Sequence, residues 1–235
     1  MVERIAGESP RPWARITGAV YLVYFLMAVS GEFFVRGLVV SGDAVATANN
    51  ILAHQSSLRL GVAIGLIATA CYVALTALFY NLFKPVNRSV SLLAAFFSLV
   101  GCGILAFGSL FQLAPLVVLG GGQYLSAFKV EQLHALALIF LELNATAVNI
   151  CFVFFGFYCL LIGYLIFRSA FLPRILGVLM AFAGLGWLTF LSPPLADYLS
   201  PYIQVLGILA ELSLCLWLLV MGVNVQGWKE QAGAE

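Results

Sequence analysis

Charge is what this sequence has least of. Asp, Glu, Lys and Arg make up only 9% of 235 residues, and the mean hydropathy is +1.06; soluble domains carry roughly a quarter of charged residues. That scarcity excludes a soluble globular chain. Nucleic-acid binding is excluded too, because eleven Lys and Arg spread along the chain form no basic face. Histidine is scarcer still, at two residues, and there is no His-Glu-x-x-His, Gly-x-Ser-x-Gly or paired-Asp motif. The five cysteines, Cys71, Cys102, Cys151, Cys159 and Cys215, contain no Cys-x-x-Cys spacing and all fall in apolar runs, where they read as small packing residues.

What the chain has in abundance is long apolar runs. Six of them cover about 16–39, 59–83, 91–118, 143–167, 174–192 and 203–223. At 1.5 Å per residue, about 20 residues cross roughly 30 Å of hydrocarbon. The runs are continuously apolar rather than alternating, which points to helices and not to a barrel. The fold class expected is therefore all-α: a polytopic membrane helix bundle with six transmembrane helices and two outer amphipathic helices, forming a single domain over 1–235. Ala28-Val29-Ser30 imitates a signal-peptidase site, but the first run is too long for a signal peptide and follows Met1, so it is expected to be retained.

With the N-terminus inside, the cytoplasmic segments hold Arg4, Arg11, Arg15, Lys84, Arg88, Arg168, Arg174 and Lys229, and the outer side holds Arg36, Arg59 and Lys129. Eight against three puts both termini in the cytoplasm. Trp13 and Trp228 fall at the inner aromatic belt and Tyr124, Tyr198 and Tyr202 at the outer one. The inner connections, "FKPVNRS" and "FRSAFLPR", are short, basic and proline-containing, as helix stops and starts should be.

The outer connections are unequal, and the two longest carry helical patterns of their own. In "SGDAVATANNILAH", Asp43 after Gly42 is placed to cap a helix over about 43–56. Ala44, Ala48, Ile51 and Leu52 share one face of it, while Thr47, Asn50, His54 and Ser57 share the other. It reads either as an interfacial connector or as a lid over a cavity. A second amphipathic helix is expected over about 124–140, after "GGGQYL". The pairs of runs one-two and three-four therefore resemble two copies of one hairpin design. Whether 124–167 is one kinked helix or two stays open.

Ionisable groups inside spans are costly and normally face the interior in pairs. Here they are Glu32, Arg36, Arg59, Glu142 and Glu211. Glu32 and Arg36 stand four apart in the favourable order, and Arg59 begins the second run at a similar depth, so either arginine can pair with Glu32. Glu211 falls about 12 Å below the outer edge of the last run, counted at 1.5 Å per residue. All five then collect in the outer half, and Glu211 is the acid left without a cation, to hold a proton or to meet a ligand. Glu131, Glu142 and Asn149, spaced by 11 and 7 residues, line one face of a continuous helix, expected to point inward. Gln204 and Glu211 do likewise, and Gln112 adds to them near Pro115, which should kink its helix.

Four readings fit this constellation. One is a structural network fixing helix register. A second is an outward-opening polar pocket, roofed by the helices around 43–56 and 124–140, that binds a small amphiphilic or lipid-like molecule from the outer leaflet without enzymatic chemistry, with or without transporting it. Its candidate ligand-binding residues are Glu32, Arg36, Asn50, His54, Arg59, His134, Glu142, Asn149 and Glu211. A third is proton-coupled transport through Glu211. The fourth is an intramembrane metal-dependent hydrolase, with His54 and His134 as metal ligands beside Glu142 and Glu211. The pocket is preferred, with membrane lipids as partners, no cofactor and no nucleic acid; the oligomeric state stays open. A structural or partner-binding protein is the remaining alternative.

The stretches "RITGAVYLVY", "SGDAVATANNILAH", "LFKPVNRSVSLLAAFFSLVG", "FFGFYCLLIGYLIFRSAFLPRILGVLMAFAG" and "ELSLCLWLLVMGVNV" together span about residues 15–225. In combination they resemble a family of bacterial membrane proteins, domain of unknown function 4386. The resemblance implies a six-helix chain in the bacterial cytoplasmic membrane and no particular activity. It marks "SGDAVATANNILAH" and Glu211 as parts of the family pattern.

Overall fold

A computed structural model describes residues 10–233. They form eight α-helices: α1 Pro10–Val35, α2 Ala44–Ala53, α3 Gln55–Phe83, α4 Arg88–Val118, α5 Val130–Arg168, α6 Arg174–Leu188, α7 Pro193–Val220 and α8 Val225–Gly233. No strand occurs among the described residues. Six helices, α1, α3, α4, α5, α6 with its 3₁₀ extension to Leu191, and α7, are long and apolar enough to cross a membrane. This is the all-α, six-span architecture expected from the sequence. Arg4, assigned to the inner side, lies outside the described residues.

The helices overrun the apolar runs that announced them. α5 has 39 residues, about 58 Å of helix, nearly twice the hydrocarbon thickness. The segment expected as an outer helix over 124–140 is a 3₁₀ turn, Gln123–Ala127, followed by the opening turns of α5 itself. The open question over 124–167 is thereby settled: from Val130 onward it is one helix. α4 likewise continues through Pro115 to Val118; Pro115 has no amide proton to give the Phe111 carbonyl, so one helical hydrogen bond is absent near its C-terminal end.

The chain divides into two compact units, one of residues up to 23, 71–102 and 150 onward, the other of 24–70 and 103–149. In the first unit, small residues let helices approach closely, the usual means of joining helices in a membrane. A Cβ on Gly163 of α5 would stand 2.7 Å from the Gly177 carbonyl oxygen of α6, and one on Gly184 of α6 would stand 2.8 Å from the Gly156 oxygen of α5. The two glycine pairs, each seven residues apart, thus clamp α5 against α6. Polar contacts add to this. Thr76 and Ser98, both buried, share a 2.6 Å hydroxyl hydrogen bond between α3 and α4. α7 stops at Gly222, whose φ of +69° only glycine adopts cheaply. Asn224 then caps α8, accepting from the Gln226 and Gly227 amides at 3.1 and 3.2 Å.

In the second unit, α1 and α3 meet at glycines: a Cβ on Gly61 would stand 2.8 Å from Val35 Cγ1 and 3.0 Å from the Gly31 oxygen. Between α4 and α5, Asn144 donates to the Gly108 carbonyl at 2.9 Å. α2 begins as its sequence predicts, with the Asp43 carboxylate accepting from the Ala46 amide at 2.8 Å. Its apolar face lands on Leu38, Leu58 and Val62, backed by Leu113, Leu116 and Leu141.

Candidate functional site

The site residues expected from the sequence fall in two places among the described residues, one in each unit. The first centres on Glu211. It sits 18 residues into α7 and nine residues from its end, about 27 and 14 Å respectively, so it lies two-thirds of the way along the helix, a correction to the first-half position counted from the apolar run. Its side chain is buried, and the Tyr21 hydroxyl of α1 donates to Glu211 Oε2 at 2.7 Å. Tyr21 is held in place by edge contacts with Tyr72 and Phe79, with ring centroids 6.2 and 5.8 Å apart. Tyr72 in turn packs on Phe155 and Tyr158 of α5, at 4.9 and 6.1 Å.

One turn along α7, the Cys215 thiol reaches the Gly18 carbonyl of α1 at 3.5 Å. A Cβ on Gly18 would collide with the Leu219 backbone. Gly18 and Tyr21 are one turn apart on α1, as are Glu211, Cys215 and Leu219 on α7, so both pairs of contacts belong to one antiparallel seam. Tyr21 is the residue that sequence reasoning missed. Its only signal was a hydroxyl in the middle of an apolar run, a feature it shares with Tyr72 and Tyr158.

The second place is the far end of α1 in the second unit, together with α2, the start of α3 and the opening half of α5. Glu32, Arg36 and Arg59 are all exposed, and no ion pair among the described residues joins them. The close glycine contacts at Gly31 and Gly61 bring these three charges to the same end of one helix pair. Large apolar side chains stand exposed beside them, notably Phe33 at 77% and Leu60 at 47%.

The polar edge of α2 is engaged locally. Thr47 is buried; its hydroxyl accepts from the Val40 amide at 2.9 Å and lies 3.2 Å from the Val40 carbonyl. Asn50 reaches the Gly37 and Leu38 carbonyls, each at 3.5 Å. His54 is exposed, with Nδ1 3.0 Å from the Asn50 oxygen, at the single residue that breaks α2 from α3.

On α5, the stripe of Glu131, Glu142 and Asn149 exists but lies on the exposed face, a correction to the inward orientation expected. The packed face of that helix carries Ala137, Asn144 and Ala147 instead. His134 is half-buried, and its Nδ1 is shielded without a hydrogen-bond partner. Among the described residues no three His, Cys, Asp or Glu side chains gather closely enough to hold a metal ion. Neither His54 nor His134 therefore belongs to such a cluster. Of the aromatic belts, Tyr124, Tyr198 and Tyr202 are exposed, whereas Trp228 is buried, its indole donating to the Leu82 carbonyl at 3.1 Å.

No solved structure matches this chain. An uncharacterised protein of Archaeoglobus fulgidus is 24% identical over 153 residues, covering 64% of this chain and 76% of that protein. The profile of a family described as a domain of unknown function, DUF4386, matches residues 16–222, from the first long helix through the end of the last, and the chain belongs to that family.

Proposed function

We propose that this multi-pass membrane protein binds a small amphiphilic, lipid-like molecule at the outer end of its second unit. Arg36 and Arg59 meet an anionic group of the headgroup, Glu32 meets a cationic one, and the apolar part lies along Phe33 and Leu60. The observation that carries the reading is the presence of both charge signs, exposed and without ion pairs, on a helix pair held together at Gly31 and Gly61, with large apolar side chains beside them. Charges at the end of a span normally find partners; here a zwitterionic headgroup supplies both. Asn50, His54, His134, Glu142 and Asn149 are further groups that the same unit offers to a headgroup.

The distribution of cations supports a cytoplasmic membrane and cytoplasmic termini. Among the described residues, Arg11, Arg15, Lys84, Arg88, Arg168, Arg174 and Lys229 fall at one end of the spans and Arg36, Arg59 and Lys129 at the other. For Glu211 a structural role is favoured by its hydrogen bond with Tyr21.

Native mass spectrometry of protein extracted in a mild detergent tests the proposal. A zwitterionic phospholipid should remain bound and be lost from a variant carrying Arg36→Gln and Arg59→Gln. Equal retention by the variant and the unaltered chain would overturn the reading.

A further inference from the structure

In the first unit, a cavity of about 80 Å³ lies between the start of α1, the end of α3 and α8, lined by Pro10, Trp13, Thr17, Leu78, Asn81 and Trp228. We propose that it is a binding site for one anionic phospholipid, with an acyl chain between the Trp13 and Trp228 indoles and the phosphate on the Lys84 ammonium. This site is separate from the outer one and stands or falls independently of it.

The lining dictates the chemistry of the occupant. Three polar side chains in the wall donate to backbone: Thr17 to the Trp13 carbonyl at 2.8 Å, Asn81 to the Ala77 carbonyl at 2.9 Å, and Trp228 to the Leu82 carbonyl at 3.1 Å. The donor of each of these three groups is thus engaged with backbone, and the rest of the wall is largely apolar, which favours an apolar occupant. At the rim the situation reverses. The Lys84 ammonium is held 3.2 Å from Asn81 Oδ1, beside the cavity. An ammonium has three donors, so that one contact leaves two for an anion.

The neighbouring cations on α1 are turned elsewhere. Arg15 donates to the Val220 carbonyl at 3.3 Å, and Arg11 packs on Gly222 at the end of α7; Lys229 follows the lining Trp228 on α8, but Lys84 is the cation hydrogen-bonded to a lining side chain, Asn81. Lys84 directly follows the end of α3 at Phe83, at the level where a span meets the headgroups. An apolar slot under a cation at headgroup depth matches an acyl chain joined to a phosphate.

The test uses the full chain in phosphatidylcholine vesicles containing a minority of acyl-brominated phosphatidylglycerol or acyl-brominated phosphatidylcholine, with quenching of tryptophan fluorescence as the readout. The anionic lipid should quench with roughly fivefold higher apparent affinity, equivalent to about 1 kcal/mol for one lysine near the charge. Lys84→Gln should abolish that preference, and Lys84→Arg should keep it. Leu78→Phe, which fills the slot, should reduce quenching by both lipids. Each variant is first checked for unaltered helicity and thermal unfolding; should Leu78→Phe fail to fold, the two Lys84 variants decide alone. Equal quenching by the two lipids, a preference that survives Lys84→Gln, or its removal by excess inorganic phosphate would each overturn the proposal.

Discussion

Replacing Tyr21 with Phe removes one oxygen and leaves the Glu211 carboxyl buried without the donor that now stands 2.7 Å from Oε2. An unmet buried acceptor costs about 1–3 kcal/mol. Side-chain hydrogen bonds within membrane bundles are weaker than that range suggests, averaging about 0.6 kcal/mol with a maximum near 1.7. The two bounds together place the loss at about 1–2 kcal/mol. For a chain of this length that lowers Tm by about 2–8 °C. The packing should survive, because the Phe ring can keep the edge contacts with Tyr72 and Phe79.

The decisive protein is the double variant Tyr21→Phe with Glu211→Met. Removing both polar partners for apolar groups of similar shape is close to neutral, so the double variant should unfold at a higher temperature than Tyr21→Phe alone. The assay is thermal unfolding in one mild detergent, run as a full double-mutant cycle. If the two changes simply add, Tyr21 and Glu211 are not coupled, and the seam between α1 and α7 owes nothing to this hydrogen bond.

Three further outcomes are expected. Gly163→Ala puts a Cβ 2.7 Å from the Gly177 oxygen and 2.9 Å from the Ala181 amide nitrogen, backbone atoms that yield only if the helices part; a loss of about 1–3 kcal/mol should appear in thermal unfolding, while Gly103→Ala, facing open space, serves as the harmless control. Asp43→Ala removes the cap on the Ala46 amide, and hydrogen exchange should show faster opening of α2, consistent with a loss of about 0.5–2 kcal/mol. Cysteines placed at Ser41 and at Lys229 should be labelled from opposite sides of the membrane by an impermeant maleimide, Lys229→Cys from the cytoplasmic side; labelling of both from one side would refute the assigned topology.

The architecture was legible because its signal is cumulative. Each span rests on eighteen or more residues of predominantly apolar character, so no single side chain decides it, and the bilayer forbids the alternatives. The start of α2 was legible for the opposite reason: a cap is local, and Gly42-Asp43 specifies a geometry that neighbours need not complete. What periodicity could not supply was direction. Glu131, Glu142 and Asn149 do share a face of α5, but a repeat fixes which residues lie together and not which way they point. Here Asn144 and Ala147 face α4, where Gly108 leaves room for the approach, and the acidic stripe is turned out.

The partner of Glu211 was hidden for a related reason. A charge in an apolar run is conspicuous, whereas a tyrosine in one passes as hydrophobic until another helix supplies the acceptor 190 residues away. The same reasoning changes how the polar edge of α2 is understood. Thr47 and Asn50 are directed at the backbone of residues 37–40, where a chain turning between two helices exposes peptide groups that require partners. Polar residues in such a connector answer first to their own backbone. Foremost among the groups left for outside chemistry are those that no backbone engages: Glu32, Arg36 and Arg59 at one end of the spans, and at the other Lys84, whose one contact leaves two donors. The charged groups of both proposed sites therefore join no two helices, and variants at those positions can lose a ligand without losing the structure.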